Sequence, residues 1–181
     1  MAPLRLTPHC VERSRPRQKS SVLEEHALDA RLHDRASFQC GEPTLDEYLR
    51  KYAVQQSAKG LCSIFVLIDD ASPSKILGFY TLSAAQIGTD QLSDVEKKKL
   101  PRYPIPCFRM GRLARTIDHR GGGVGAVLLG LAVDRCLKAR VHVGAYALLV
   151  DAKNEKASVF YQQFGFRVCV DSPMSLYLPL G

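Results

Sequence analysis

The sequence predicts a single α/β (α+β) domain built on a mixed, twisted sheet. Three observations predict it. Apolar, β-rich runs at residues 61–68 and 76–83 are separated only by a short polar turn, which pairs them antiparallel. From Phe108 onward the pattern alternates strand, helix, strand, helix, strand, and a crossover helix joins strands that run parallel. The chain has 181 residues, 46% hydrophobic and 24% charged, the composition of one ordinary globular domain with material for a sizeable core.

Taken in order, Leu23 to Phe38 is mixed and has room for a first strand. Cys40-Gly41-Glu42-Pro43 reads as a turn, and Thr44 with Glu47 three residues on reads as a capping box opening a helix. Leu45, Tyr48, Leu49 and Tyr52 repeat at helical spacing and mark its buried face; the helix runs to about Ala58, and Gly60 stops it. LCSIFVLI at 61–68 and ILGFYTLS at 76–83 are strands, with Pro73 in the turn between them. A charged helix spans 93–100, and Pro101, Pro104 and Pro106 force an extended approach to a third long strand, FRMGRLARTI at 108–117. A glycine-rich turn at 120–125 leads into an apolar helix at 126–139, then a strand at 145–151. Asn154 opens a helix ending near Phe164, and strands at 166–170 and 174–178 close the chain.

The formal charge is +7, but it is unevenly spread. Residues 1–22 hold five basic side chains against Glu12, a net +4 that leaves only +3 for residues 23–181. The charge of the whole chain is therefore weak evidence that the folded body binds nucleic acid. Residues 1–22 read as a basic, disordered arm, and residues 23–181 as the domain. No apolar run is long enough to span a membrane, and the N-terminal segment lacks the apolar stretch of a secretory signal. Six cysteines occur with no CxxC pair and no Cys/His cluster at zinc spacing, so no metal is expected. Cys62, Cys107, Cys136 and Cys169 lie in apolar segments and read as buried free thiols of a reducing, cytoplasmic protein.

Two segments carry chemistry. Arg120-Gly121-Gly122-Gly123-Val124-Gly125-Ala126 stands between a strand and a helix, where glycines admit a close ligand and a helix start offers free N–H groups to phosphate. No Lys-Ser or Lys-Thr follows, so it is no Walker A motif, and the acidic partner of a dinucleotide fingerprint is missing. A purely structural turn fits the same residues. The second segment runs from Asn154 through Ala157, Phe160, Tyr161 and Phe164 to Gly165-Phe166. It reads as a helix with a buried aromatic face, in which a buried phenol needs a partner and can donate a proton.

Together the R-x-x-G-x-G-A turn and the N-x-x-A-x-x-F-Y-x-x-F-G-F helix resemble the GNAT superfamily of acetyl-CoA-dependent N-acetyltransferases, over roughly Leu61 to Leu180. The resemblance implies a GNAT fold, a sheet of six to seven strands flanked by helices, with splayed central strands holding acetyl-CoA. It implies that Arg120 to Ala126 grip the CoA pyrophosphate. Leu113, Ala114 and Arg115 would run beside the pantetheine arm, and Asn154, Phe160 and Tyr161 would lie against the pantetheine and thiol. A narrower resemblance rests on FQCGEPTLDEYLRKYA, FVLID, GFYTLSA, LPRYPIPCFRMGRLA, LLVDA, FYQQFGF and MSLYLPL. These phrases are similar to the acetyltransferase toxins of bacterial toxin–antitoxin pairs. Gln39 stands where the family phrase has an acid, and Gly121 and Gly122 replace longer side chains.

That resemblance implies a toxin that acetylates the α-amine of aminoacyl-tRNA and so blocks translation. Its partners would be a ribbon-helix-helix antitoxin, operator DNA bound through that antitoxin, and a second copy of the chain in a homodimer. Transfer would be direct, with Tyr161 as the acid that protonates the departing thiolate. No residue stands out as a general base: His119 adjoins the phosphate turn and Glu155 starts a helix. Arg102, Tyr103, Arg109 and Arg112 are the substrate-side candidates, since basic groups neutralise tRNA phosphates and an aromatic stacks on an end base. The alternatives are a GNAT enzyme for a small amine or protein amine, and a non-catalytic module that holds CoA or a partner.

Overall fold

The structure, a computed structural model, describes residues 22–119 and 122–181. Seven strands form one sheet in the order β1-β2-β3-β4-β5-β7-β6. They are β1 (Leu23–Ala27), β2 (Ser63–Asp69), β3 (Ser72–Ile87), β4 (Ile105–Arg115), β5 (Ala147–Asp151), β6 (Arg167–Cys169) and β7 (Ser172–Pro179). Among these seven strands, only β4 and β5 pair in parallel. The mixed sheet expected from the alternating pattern is therefore present.

The helices divide between the two faces. On one face α4 (Val124–Ala139) packs across β3 and β4, and α5 (Glu155–Gln163) packs on β7. Leu128, Leu129, Ala132 and Cys136 of α4 meet Leu67, Tyr80, Met110, Leu148 and Val150 of the sheet in the largest core cluster. Gly78 of β3 permits this approach, because a Cβ there would stand 2.5 Å from the Leu128 side chain. On the other face α1 (Pro43–Glu47), a π-helical stretch (Tyr48–Tyr52) and α2 (Ala53–Ala58) cover Ile64, Val66 and Phe79. A third cluster, under the short α3 (Asp94–Lys97), joins Ile87, Leu92, Ile105, Leu149 and Tyr177.

Several expectations are corrected. Thr44 and Glu47 form no capping box: the helix begins two residues earlier, with Glu42 at the N-cap position, Pro43 in its first turn and no side-chain cap. Proline fits there because it has no N–H to leave unpaired. Glu47 instead pairs with Lys51 at 2.8 Å. The π stretch breaks the helical spacing, so Tyr48 and Leu49 are buried while Tyr52 turns outward. The expected helix over 93–100 is only four residues long, and α4 starts at Val124 rather than Ala126. Cys107, Cys136 and Cys169 are buried free thiols, but Cys62 is half-buried against the Tyr48 hydroxyl, 3.5 Å away. Burial pushes the Cys136 thiol up to about 12, and burial with the neighbouring Asp46 pushes Cys40 up to about 12.

Glu96 of α3 is buried, which is unusual for a carboxylate in a short charged helix. It accepts hydrogen bonds from Ser93 (2.8 Å), Tyr146 (2.9 Å) and Tyr177, and pairs with Arg167 at 2.7 Å. Burial alone would raise its carboxyl, but these donors and the Arg167 charge outweigh that and hold it below the ordinary range.

Candidate functional site

The site grows from an irregularity in the sheet. β4 pairs with β5 only from Cys107↔Ala147 to Met110↔Val150. Beyond that point β4 continues for five residues along β3 while β5 ends at Asp151, so the two strands part. At the same place the β3–β4 register slips: Thr81 faces Arg112 and Leu82 faces Met110, which leaves Gly111 as an extra residue.

The bulge has two effects. First, Arg109 and Arg112, three apart, fall on the same face; strict alternation would have separated them. Arg109 forms an ion pair with Asp151, which also accepts from Ser175 Oγ at 2.9 Å. The Arg112 guanidinium lies 3.6 Å over the Tyr48 ring. Second, it sets which backbone groups face the gap. Thr116 N–H donates to Leu77 O at 2.8 Å, so alternate residues counting back, Ala114 first, spend their backbone on β3. The N–H and C=O groups of Leu113 and Arg115 therefore point into the gap. Ala114 is paired with β3 and its side chain is buried in the α1–α2 cluster, so it lines the gap least.

The start of α4 is bare. Its N-cap is Gly123, in the left-handed region at φ 72°, with no side-chain cap and no acid in the first turn. The first intrahelical bond runs from Val127 N–H to Gly123 O, leaving the N–H groups of Val124, Gly125 and Ala126, at the positive end of the helix, without a partner among the described residues. Val124 is buried, so it contributes backbone only. Gly122 and Gly123 are exposed. Arg120 and Gly121 lie outside the described residues.

The contrast with α5 is instructive. There Asn154 caps the helix by accepting from Ala157 N–H at 2.9 Å. The Phe160 ring stands within 3.7 Å of where a Gly125 Cβ would be, tying α5 to the start of α4. Tyr161 packs against Phe160 and Phe166, with ring centroids 5.3 and 5.5 Å away. Burial pushes its phenol up to about 12. No fully buried side-chain nitrogen or oxygen lacks a partner among the described residues, and the Tyr161 hydroxyl has no bond within the described residues, so it opens on the molecular surface. Tyr161, Val124 at the start of α4 and Leu113 of β4 belong to one apolar cluster, which brings the phenol-bearing helix, the bare helix start and the free strand edge together.

The remaining candidates separate. Arg102 and Tyr103 are exposed and precede β4, ten and nine residues before Arg112 in the sequence. Gln39 acts through its backbone: its carbonyl accepts from Ile117 N–H (2.8 Å) and Thr116 Oγ1 (3.3 Å). Asp46, which sequence reasoning passed over, receives the Cys40 N–H at 2.8 Å and fixes this loop beside the end of β4. No cluster of three or more His, Cys, Asp or Glu suited to a metal occurs among the described residues.

No protein-family profile matches the chain. A tRNA-acetylating toxin of Mycobacterium tuberculosis (strain ATCC 25618 / H37Rv) is 34% identical over 145 residues, 80% of this chain and 85% of the relative. Among solved structures, AtaT complexed with acetyl-methionyl-tRNAfMet superposes with a TM-score of 0.82 at 32% identity, covering 87% of this chain and 95% of that one. A Tyr→Phe mutant of the toxin AtaT, bound to the C-terminus of the antitoxin AtaR and acetyl-CoA, superposes with a TM-score of 0.74 at 28% identity, covering 87% and 93%.

Proposed function

Because the chain belongs to the GNAT family of tRNA-acetylating toxins, we propose that it is an acetyl-CoA-dependent N-acetyltransferase acting on the α-amine of aminoacyl-tRNA, the toxin of a toxin–antitoxin pair. The observation that carries this reading is the parting of β4 from β5 beside the bare start of α4 and the open phenol of Tyr161. Acetyl-CoA is the co-substrate. Its pyrophosphate sits on the α4 N-terminus, from Gly122 to Ala126 with Arg120 and Gly121 before them. Its pantetheine arm extends along Leu113 and Arg115, which completes the sheet where β5 is missing, with Asn154 and Phe160 on the other side.

The neutral amine attacks the thioester carbonyl, the new C–N bond forms, and the C–S bond breaks. Nitrogen loses one proton and sulfur gains one. Tyr161 supplies that proton and is reprotonated from the amine or from solvent. At about 12 the phenol stays protonated at neutral pH, so it meets the thiolate as a donor; the burial that weakens it as an acid also makes the thiolate more basic. The amino acid end enters from the face that carries Arg109 and Arg112, opposite α4 and α5. Arg102 and Tyr103 serve the more distant body of the tRNA.

The antitoxin is of the ribbon-helix-helix type and carries the pair to operator DNA, while the toxin itself forms a homodimer. Free thiols without a disulfide among the described residues suit a cytoplasmic protein, and no helix there is long and apolar enough to cross a membrane. Residues 23–181 form the acetyltransferase domain and residues 1–22 a basic arm. The test is transfer of labelled acetyl from acetyl-CoA to a charged tRNA pool, beside free amino acids and an amine-bearing peptide. Label on the tRNA pool alone supports the reading; label on the free amines alone overturns it.

A further inference from the structure

A concavity of about 410 Å³ lies away from the reaction site. It lies beside the loop between β1 and α1, and Arg31, His33, Asp34, Arg35 and Arg50 contribute to its wall. Arg31 and Arg50 make no ion pair and no side-chain hydrogen bond among the described residues. Arg35 spends one nitrogen on the Arg50 carbonyl at 2.8 Å, and no carboxylate among the described residues pairs with it. The one acid in the wall, Asp34, is turned onto backbone, accepting from Ala36 N–H (2.9 Å) and Ser37 N–H (3.2 Å). Three arginines that form no ion pair among the described residues thus line one hollow.

We propose that this hollow binds backbone phosphate of the RNA substrate, away from the amino acid end. Guanidinium forks match phosphate oxygens in pairs, and releasing counterions drives the contact. Continuity with the reaction site supports RNA over a free anion. Arg50 is two residues from Tyr48, Arg112 lies over the Tyr48 ring, and Arg112 adjoins Leu113 at the gap. A strand whose 3′ end reaches the gap from this face therefore has phosphates to offer at the hollow. The Arg35 bond also holds the carbonyls of the π stretch that seats Tyr48, so the phosphate site and the floor under Arg112 share one support. The inference rests on the aminoacyl-tRNA reading and adds a place where the tRNA body is held.

Arg31→Ala/Arg50→Ala tests it; Arg35 is retained because it supports the fold. Binding of labelled, uncharged tRNA is measured between 50 and 200 mM salt. The expected result is about tenfold weaker binding, with the slope of log Kd against log salt reduced by about 2, near 0.9 per lost phosphate contact. In acetyl transfer, KM for charged tRNA should rise about tenfold with kcat unchanged, while transfer to an aminoacylated CCA trinucleotide stays the same. Arg31→Lys/Arg50→Lys should recover most of the binding. Unchanged tRNA affinity and slope in the alanine variant overturn the site, as does loss of binding to an acidic antitoxin peptide with tRNA binding intact. If the unaltered chain binds tRNA, with the expected drop in the variant, but acetylates none, the phosphate site stands and the transfer reading fails.

Discussion

Gly125 and Phe160 face each other across the site, 3.7 Å apart measured from the place a Gly125 Cβ would occupy. The first turn of α4 and the helix that bears Tyr161 are thereby held at a fixed spacing. The phenol sits on the next residue, so the bare start of α4 and the Tyr161 phenol are positioned by one contact.

Tyr161→Phe removes one oxygen that has no partner among the described residues and leaves the ring packing in place. Single-turnover transfer at saturating acetyl-CoA should fall by about 10²-fold or more, with CoA affinity nearly unchanged. In a cell the variant should accumulate without toxicity and still bind its antitoxin. A ratio within about threefold would remove the acid role.

Gly123 and Gly125 should respond in opposite directions to alanine. Gly123 sits at φ 72°, which an L side chain rarely adopts, so Gly123→Ala should cost about 1 kcal/mol in urea unfolding. Gly125→Ala meets Phe160 at ordinary contact distance and gains helix propensity, so it should be neutral or stabilising by up to about 1 kcal/mol. Acetyl-CoA should raise the melting temperature of the unaltered chain, and Gly123→Glu, folded but carrying a negative charge at the proposed phosphate position, should lose that shift.

Glu96→Gln replaces an acceptor of four donors with a group that itself donates. Unfolding should become easier by about 2–3 kcal/mol. Because the Glu96 carboxyl is held below the ordinary range, its contribution is full at neutral pH. It is lost as pH falls below about 4.3, the unfolded value. The difference in unfolding midpoint between the unaltered chain and the Glu96→Gln variant should therefore shrink on acidification; a constant gap would show that the carboxylate charge is not what α3 needs.

Alkaline pH should act through the phenols. Burial raises Tyr161 to about 12, and burial with carboxylate bonds raises Tyr80, Tyr146 and Tyr177. A phenol raised in the fold stabilises it fully below the unfolded value near 10 and loses that contribution as pH climbs through the folded one. Thermal stability should hold to about pH 10 and then decline. An unchanged melting temperature at pH 11 would contradict these raised values.

Much of this was legible in the sequence. Periodicity gave the strands at 61–68, 76–83 and 108–117 because their burial is local and repetitive. The spacing of Gly123, Gly125, Asn154 and Tyr161 marked the candidate site through the family resemblance, because backbone freedom, capping and a phenol are properties of residue type. Glu96 was not legible, since its donors Tyr146, Arg167 and Tyr177 come from 50 or more residues away. The shared face of Arg109 and Arg112 was hidden because it depends on one extra residue, Gly111, whose role appears only when β4 is laid against β3. The π stretch defeated the helical spacing for the same reason: Tyr52 follows the pattern in one dimension and leaves it in three.

The state of the thiols has a consequence for survival under oxidants. Thiolate, not thiol, reacts with peroxides and alkylating agents. Cys40 and Cys136 rise to about 12 and Cys169 to about 11, so at pH 7 only about one molecule in 10⁴ to 10⁵ presents a thiolate at each. The proposed transfer uses no sulfur of the chain. A cell whose thiol-dependent enzymes have been silenced by peroxide would therefore retain this catalyst undamaged at those positions.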